Sequence, residues 1–144
     1  MKRLLFVIAL ALGTLSLSYA QEVGIRFGYS AASSAAVDVV FGTGDFSRIH
    51  ADLSFGGNGV GIEALWDFLY RPLGGEAFNW YAGVGPYTYI GDPFHLGVLG
   101  EIGLEYRFAS VPIVLGGDWR PFFRIIEDTH FGANGFGINV RWVF

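Results

Sequence analysis

"GFGINVRWVF", residues 135–144, is the stretch that decides the fold, because large apolar residues alternate in it with smaller or polar ones. The apolar positions are Phe136, Ile138, Val140, Trp142 and Phe144, and the positions between them are Gly137, Asn139, Arg141 and Val143. Successive side chains of a strand point to opposite faces, so this pattern predicts a strand with one apolar and one polar face.

The same period of two recurs along the rest of the chain, in segments separated by turn-forming residues. Eight segments follow it: EVGIRFGYS (22–30), VDVVF (37–41), RIHADLSFG (48–56), VGIEALWDFLY (60–70), FNWYAGVGPYTYI (78–90), LGVLGEIGLEYRF (96–108), PIVLGGDWRPFF (112–123) and GFGINVRWVF (135–144). No helical periodicity competes with this pattern after residue 20. The sequence therefore predicts an all-β fold, an eight-stranded antiparallel up-and-down barrel.

Residues 1–20, "MKRLLFVIALALGTLSLSYA", have the features of a secretory signal peptide. A basic start precedes an apolar run, and Ser18 and Ala20 are small residues at the two positions that a signal peptidase inspects. The apolar run is too short for an uncleaved membrane anchor. We expect cleavage between Ala20 and Gln21, export, and one mature domain of residues 21–144. The chain has no cysteine, so neither disulfides nor a lipoprotein-type signal are expected.

The composition of residues 21–144 is unusual for a soluble domain. Lys2 is the only lysine of the chain, so the mature part has seven arginines against thirteen acidic residues, a net charge of −6. Soluble surfaces normally carry lysine, whereas this chain has a mean hydropathy of +0.43 and is 17% aromatic. There is no basic patch for nucleic acid and no apolar run long enough for a transmembrane helix.

Alternation alone leaves two interpretations of the barrel. A secreted, lipocalin-like binder would turn the apolar face inward, and a transmembrane barrel would turn it outward. The apolar face carries four tryptophans, Trp66, Trp80, Trp119 and Trp142, which is typical of the aromatic girdles at membrane interfaces. Backbone groups in hydrocarbon must be paired within the protein, and a closed barrel achieves this. The pattern favours the transmembrane interpretation.

The signal peptide, the eight alternating strands and the final "VRWVF" resemble the small eight-stranded outer-membrane β-barrels of Gram-negative bacteria. In that family a C-terminal phenylalanine preceded by alternating apolar residues is the signal that the outer-membrane assembly machinery reads. The matching residues are Ile138, Val140, Trp142 and Phe144. The resemblance implies a porin-like protein of the cell outer membrane, monomeric and in contact with membrane lipid and lipopolysaccharide.

The polar face of the strands would then line the lumen, and it is rich in charge. It contains eight acidic residues, Glu22, Asp38, Asp52, Glu63, Asp67, Glu101, Glu105 and Asp118, and five arginines, Arg26, Arg48, Arg107, Arg120 and Arg141. Buried charges must pair, because an isolated one is very costly at low dielectric. We predict a charge network that fills the lumen and includes Arg26, His50, Asp67, Glu101, Glu105, Arg107, Asp118, Arg120 and Arg141; an ion or proton path is the alternative.

Two strand registers follow from turn chemistry. Asn58-Gly59 is a strong type I′ hairpin signal, and a turn there would pair Gly57 with Val60 and set His50 opposite Asp67. For the sixth and seventh strands, a loop of residues 109–112 sets Glu101 opposite Arg120. A two-residue loop would instead place Glu101 opposite Asp118, and like charges directly opposite are unfavourable.

Catalytic chemistry has little support in the sequence. His50, Asp52 and Ser54 alternate on one strand, about 7 Å apart, which is too far for the hydrogen bonds of a triad. His130 and Asp128 in the last loop could meet Ser33 and Ser34 of the first loop, as in a lipid A-modifying enzyme at the outer rim, but such loops are usually only solvated.

We therefore expect no enzymatic activity. No cluster has metal-ligand spacing and no phosphate-binding loop is present, so we expect no cofactor or metal. The predicted function is structural or surface-interacting, with residues 124–134 as the best contact point for a partner. A narrow ion-conducting pore, a lipid A enzyme and a lipocalin-like binder remain alternatives.

Overall fold

The computed structural model describes residues 21–32, 34–75 and 77–144 of this chain. The predicted signal peptide, residues 1–20, lies outside the described residues, and so does Ala20 of its cleavage site. The described strands are β1 (Gln21–Gly28), β2 (Ala35–Gly44), β3 (Ser47–Gly56), β4 (Gly59–Pro72), β5 (Phe78–Ile90), β6 (His95–Arg107), β7 (Ile113–Trp119), β8 (Phe122–Ile126), β9 (His130–Gly132) and β10 (Phe136–Val143). Within these ranges no helix is long and apolar enough to cross a membrane.

Eight of the strands close into a barrel. Each of β1 to β6 pairs with its neighbour in sequence, β6 pairs with β7, β7 with β10, and β10 returns to β1, every pairing antiparallel. The predicted all-β, eight-stranded antiparallel barrel is confirmed. Closure leaves none of these eight strands with an unpaired edge along its full length.

The connection between β7 and β10 differs from the prediction. The seventh segment was expected to run through residue 123, followed by a loop over residues 124–134. The strand is interrupted at Pro121, which has no N–H to donate, and the chain continues as the β8–β9 hairpin, in which β8 pairs with β6. The break is held by Gly100 N, which donates to Pro121 O at 2.9 Å, and by Arg120 N, which donates to Gly135 O at 2.7 Å.

The apolar face of the barrel points outward. Ile25, Leu115 and Val140 lie side by side on neighbouring strands, and each is exposed. The intervening residues with charged side chains are buried inside. An eight-stranded barrel has little room beyond that taken by its own side chains, and here the charged ones are ion-paired. The alternative with the apolar face inward, the lipocalin-like arrangement, is therefore wrong for this barrel.

The two predicted registers have different outcomes. The predicted β3–β4 register is wrong: the turn is formed by Gly57 and Asn58, which both have positive φ, 59° and 68°, as a type I′ turn requires. Gly56 consequently pairs with Gly59, and His50 lies opposite Leu65 instead of Asp67.

The β6–β7 register is the predicted one. Ile102 pairs with Trp119, and Phe108 N donates to Ile113 O across the loop of residues 109–112 at 3.1 Å. Glu101 and Arg120 continue this register by one residue, and their side chains are hydrogen-bonded.

Candidate functional site

The charged interior of the barrel is the candidate site. The described residues place eight carboxyl groups there, all buried, together with His50 and four buried arginines; the members are Glu22, Asp38, Asp52, Glu63, Asp67, Glu101, Glu105, Asp118, Arg26, Arg48, Arg120 and Arg141. Arg107 is only partly buried, with 31% of its side chain exposed. All nine predicted network residues therefore lie on the interior face, and the ion pairs among them fall into four groups.

The first group lies at the end of the barrel that carries Gln21 and Phe144. Arg141 Nε donates to Glu22 Oε2 at 2.8 Å, and its Nη2 donates to Glu105 Oε2 at 2.5 Å. Arg107 also donates to Glu22, and Arg48 Nη1 donates to Glu105 Oε2 at 2.9 Å. Each carboxylate here accepts hydrogen bonds from two arginines, so the desolvation of the buried charges is offset by charge-assisted hydrogen bonds.

Arg48 links this first group to the second, which lies in the middle of the barrel around Asp67 and His50. Its Nε donates to Asp67 Oδ2 at 2.7 Å. Its guanidinium lies between two aromatic rings, 4.4 Å from the ring centroid of Tyr70 and 4.3 Å from that of Tyr81. A guanidinium over aromatic faces gains cation–π stabilisation, which is larger in a desolvated site.

The period-two alternation that places Trp66 on the outer, apolar face would place Tyr70 there too, and for Tyr70 this prediction is wrong. A bulge between Asp67 and Leu69 inserts one residue into β4, and the extra residue reverses the alternation beyond it. Tyr70 then pairs with the inward-facing Tyr81, and its hydroxyl donates to Glu105 Oε1 at 2.8 Å.

His50 occupies the centre of the lumen between two carboxylates. Its Nε2 lies 2.7 Å from Asp38 Oδ1, and its Nδ1 lies 2.9 Å from Glu101 Oε1. Arg120 Nη2 lies 3.3 Å from Nε2 of the same ring. The imidazole is completely buried, so its charge state depends on these neighbours rather than on solvent.

Arg120 forms hydrogen-bonded ion pairs with three carboxylates, which make up the third group. Its Nε donates to Glu101 Oε2 at 3.0 Å, and its Nη1 donates to Glu63 Oε2 at 2.7 Å and also to Asp52. Asp38 pairs with Asp52, and Asp52 pairs with Glu63, so three carboxylates lie in one row across β2, β3 and β4. Like charges in such a row repel, and Arg120 offsets the repulsion from the opposite wall.

The fourth group joins β1, β7 and β10. Arg26 Nη2 donates to Asp118 Oδ1 at 2.5 Å, and Arg26 Nε donates to Asp118 Oδ2 at 2.9 Å. This is the bidentate geometry in which arginine binds a carboxylate most strongly. Asn139 Nδ2 adds a third hydrogen bond to Asp118 at 3.2 Å.

Two interior glycines make room for these side chains. A Cβ at Gly103 would overlap the ring of Tyr81, and a Cβ at Gly83 would overlap Asp67 Oδ1. The absence of a side chain at each glycine leaves space for a side chain of the adjacent strand.

An apolar cluster lies within the barrel toward the hairpin end, away from the termini. Its buried members are Ala32, Leu65, Tyr87, Leu99 and Phe122. The Tyr87 and Phe122 rings meet edge to face, with centroids 6.1 Å apart. At this end the charged network also contacts the β1–β2 loop, since Ser30 Oγ and Ala32 N both donate to Glu63 Oε1.

The residues considered for catalysis that the structure describes do not form a catalytic arrangement. Ser54 Oγ donates to Gly61 O at 3.3 Å, and both ring nitrogens of His50 face carboxylates, so this pair does not interact. At the rim, Asp128 is paired with Arg124 at 3.1 Å, and the ring of His130 lies against Phe122. Ser33 lies outside the described residues.

The predicted girdle and assembly-signal residues lie on the outside of the barrel. Trp66 and Trp142 are exposed, as are Ile138, Val140 and Phe144. Trp80, at the start of β5, and Trp119, at the end of β7, are partly buried. Trp119 Nε1 donates to Ala133 O at 2.7 Å, which attaches the strand to the segment before β10.

Sequence reasoning missed one feature, because it searched for metal-ligand spacing along the chain. The structure brings together two sets of donors, Asp38, His50 and Asp52, and His50, Asp67 and Glu101; within each set the donor atoms lie within 4.8 Å of one another. These residues belong to four different strands, so only the correct strand registers could have revealed them.

Comparison of the sequence with protein-family models and with curated proteins gave no match. The function must therefore be argued from the geometry of the barrel and its interior.

Proposed function

We propose that this protein is an integral outer-membrane β-barrel with a structural or surface-interaction role, and that its lumen is plugged by charged side chains. The observation that carries the proposal is the inverted distribution of polarity. Charged residues occupy much of the interior, whereas large apolar residues form the outer wall of the barrel strands. On β2, β3 and β7 only one such residue each is strongly exposed, namely Val37, Phe55 and Leu115.

The outer wall supports a lipid environment. Monomeric soluble proteins rarely expose contiguous apolar patches of more than a few hundred Å², and here the exposed apolar residues continue from strand to strand around a closed sheet. In hydrocarbon such a surface needs no cover, and barrel closure pairs the backbone groups that lipid could not satisfy.

The aromatic residues support the same environment. Trp80 and Trp142 lie near the end that carries Gln21 and Phe144, and Trp119 lies toward the opposite end. Tryptophan is enriched at both membrane interfaces. Contact with lipopolysaccharide, export by the signal peptide and recognition of Ile138, Val140, Trp142 and Phe144 by the assembly machinery belong to this proposal and rest on the resemblance.

The interior supports a plug rather than a passage. The carboxylates and arginines are buried and hydrogen-bonded to one another, and a buried apolar cluster occupies further space inside the barrel. Removing one partner from such a network leaves the other charge buried without a counter-charge. This costs free energy, so the network resists opening. No described residue arrangement specifically favours a lipid A enzyme or a conducting pore.

Heat-modifiability in isolated outer membranes tests the proposal. The protein is expressed with its native residues 1–20, cells are fractionated, and boiled and unboiled samples are compared by detergent gel electrophoresis. We expect the protein in the outer-membrane fraction, with a mobility shift on boiling. A protein found in the soluble periplasmic fraction would overturn the proposal.

Two further measurements separate the roles that such a barrel could have. The purified barrel is reconstituted in a planar bilayer, where we expect no stable ion conductance. Lipid A from cells with and without the gene is compared by mass spectrometry, where we expect identical masses. Stable conductance would replace the plug by a pore, and a mass change would replace the structural role by an enzymatic one.

A further inference from the structure

We infer that the lumen binds one divalent transition-metal cation through His50 Nδ1, Asp67 and Glu101. This inference rests on the interior of the barrel and is independent of its location in a membrane. The three ligands come from β3, β4 and β6, and all three side chains are buried. Their donor atoms lie within 4.8 Å of one another, which is close enough for one small cation to contact all three after a slight adjustment.

An orphaned oxygen points to a ligand at this place. Asp67 Oδ2 accepts a hydrogen bond from Arg48, but Asp67 Oδ1 is buried and has no hydrogen-bond partner. A buried polar atom without a partner costs free energy and calls for an explanation.

The space around that oxygen is also suited to a shared ligand. Gly83 pairs with Asp67 on one side and with Glu101 on the other, so the two carboxyl groups are separated by a residue without a side chain. Asp67 Oδ1 occupies the space that a Gly83 side chain would fill. It is therefore directed along the wall toward Glu101, where a cation held by both carboxylates would lie.

The charge balance of the lumen leaves room for a cation. Eight carboxyl groups face four buried arginines and Arg107. With a neutral His50 this leaves an excess of three negative charges, and one divalent cation reduces the excess to one.

The other side of His50 is built as metal-binding histidines usually are. A ligating imidazole commonly directs its second nitrogen toward a carboxylate, which fixes the ring and its tautomer. His50 Nε2 lies 2.7 Å from Asp38 Oδ1. With the cation on Nδ1, the remaining ring proton lies on Nε2, facing Asp38, and the ring is neutral beside the Arg120 guanidinium.

The donor set indicates the kind of metal. One imidazole nitrogen and two carboxylate oxygens suit Zn²⁺, Mn²⁺ or Fe²⁺, whereas Ca²⁺ and Mg²⁺ prefer oxygen-only coordination. The lumen is closed in the folded barrel, so the cation is expected to enter while the barrel forms.

Refolding with Zn²⁺ tests the inference. Unfolded protein is refolded in detergent with Zn²⁺, loosely held metal is removed by a chelator and desalting, and zinc is counted by elemental mass spectrometry in the heat-modifiable, folded fraction. We expect about one zinc per folded chain, as for a closed protein site. The Asp67→Asn variant preserves size and can still accept from Arg48, and we expect it to retain at least about tenfold less zinc.

Glu22→Gln is the matched control, because Glu22 is also a buried, arginine-paired carboxylate but lies in the group at the terminal end. It should retain as much zinc as the wild type. Glu101→Gln is the second ligand variant if Asp67→Asn does not fold. A folded wild type that retains no zinc overturns the inference, as does a folded ligand variant that retains the wild-type amount. The membrane proposal is unaffected by either result.

Discussion

Arg120 and Glu101 lie opposite each other on the inner wall, one residue beyond the last paired residues of β6 and β7, and Arg120 Nε donates to Glu101 Oε2 at 3.0 Å. Both side chains are buried. The strand register that places Arg120 opposite Glu101 also positions Arg120 to form ion pairs with Asp52 and Glu63 on the far wall.

Replacing this arginine should destabilise the barrel strongly. Arg120→Met removes the positive charge that Asp52, Glu63 and Glu101 share, and breaking a buried ion pair from one side costs about 3–5 kcal/mol. The free energy of unfolding is measured by urea titration of the protein in lipid vesicles, with tryptophan fluorescence as the signal. Asp128→Asn is the control, since it breaks an exposed pair worth at most about 1 kcal/mol. Equal effects of the two variants would contradict the role of Arg120.

The absence of a side chain at Gly103 should be essential for the packing of the Tyr81 ring. Gly103→Ala forces a methyl group into the ring of Tyr81, and overpacking of this kind costs about 1–3 kcal/mol. Gly117→Ala is the matched control: Gly117 belongs to the neighbouring strand, and its added methyl group would make only an ordinary 3.7 Å contact. The same urea titration compares the two variants, and a loss of stability confined to Gly117→Ala would refute the packing argument.

The β3–β4 turn should depend on the backbone freedom of Asn58. This residue has φ of 68°, which asparagine and glycine tolerate but a β-branched residue does not. We expect Asn58→Val to lower the free energy of unfolding by about 1–3 kcal/mol, and Asn58→Gly to change it little. If both variants are as stable as the wild type, the turn does not have the type I′ conformation assigned here.

Charge on the outer wall should reveal the environment of the barrel. Val140 lies midway along β10 and is 48% exposed. In a bilayer Val140→Arg should cost about 2–4 kcal/mol, and Phe55→Arg, at the end of β3, only about 0–1 kcal/mol. On a water-exposed surface both substitutions would be within about 0.5 kcal/mol of the wild type. Unfolding titrations in vesicles therefore separate a lipid-facing wall from a solvated one.

Much of the fold followed from local patterns. The β6–β7 register could be predicted because only one of two loop lengths kept Glu101 away from Asp118. The β3–β4 register could not, since Gly57-Asn58 and Asn58-Gly59 are both suited to a type I′ turn. The bulge beside Asp67 could not be predicted from the alternation either, and because of it Tyr70 lies on the inner face instead of the outer one.

By itself the sequence determined that eight strands would form, that they would close into an antiparallel barrel, and that its two faces would differ in polarity. It could do so because strand side chains alternate with a period of two wherever the strand lies. Only the tertiary structure decided which charges meet. The neighbours of Arg120, His50 and Asp67 come from strands distant in sequence, and their contacts depend on every turn and bulge along the barrel wall, because a register shift between any two strands changes which side chains share a level of the lumen.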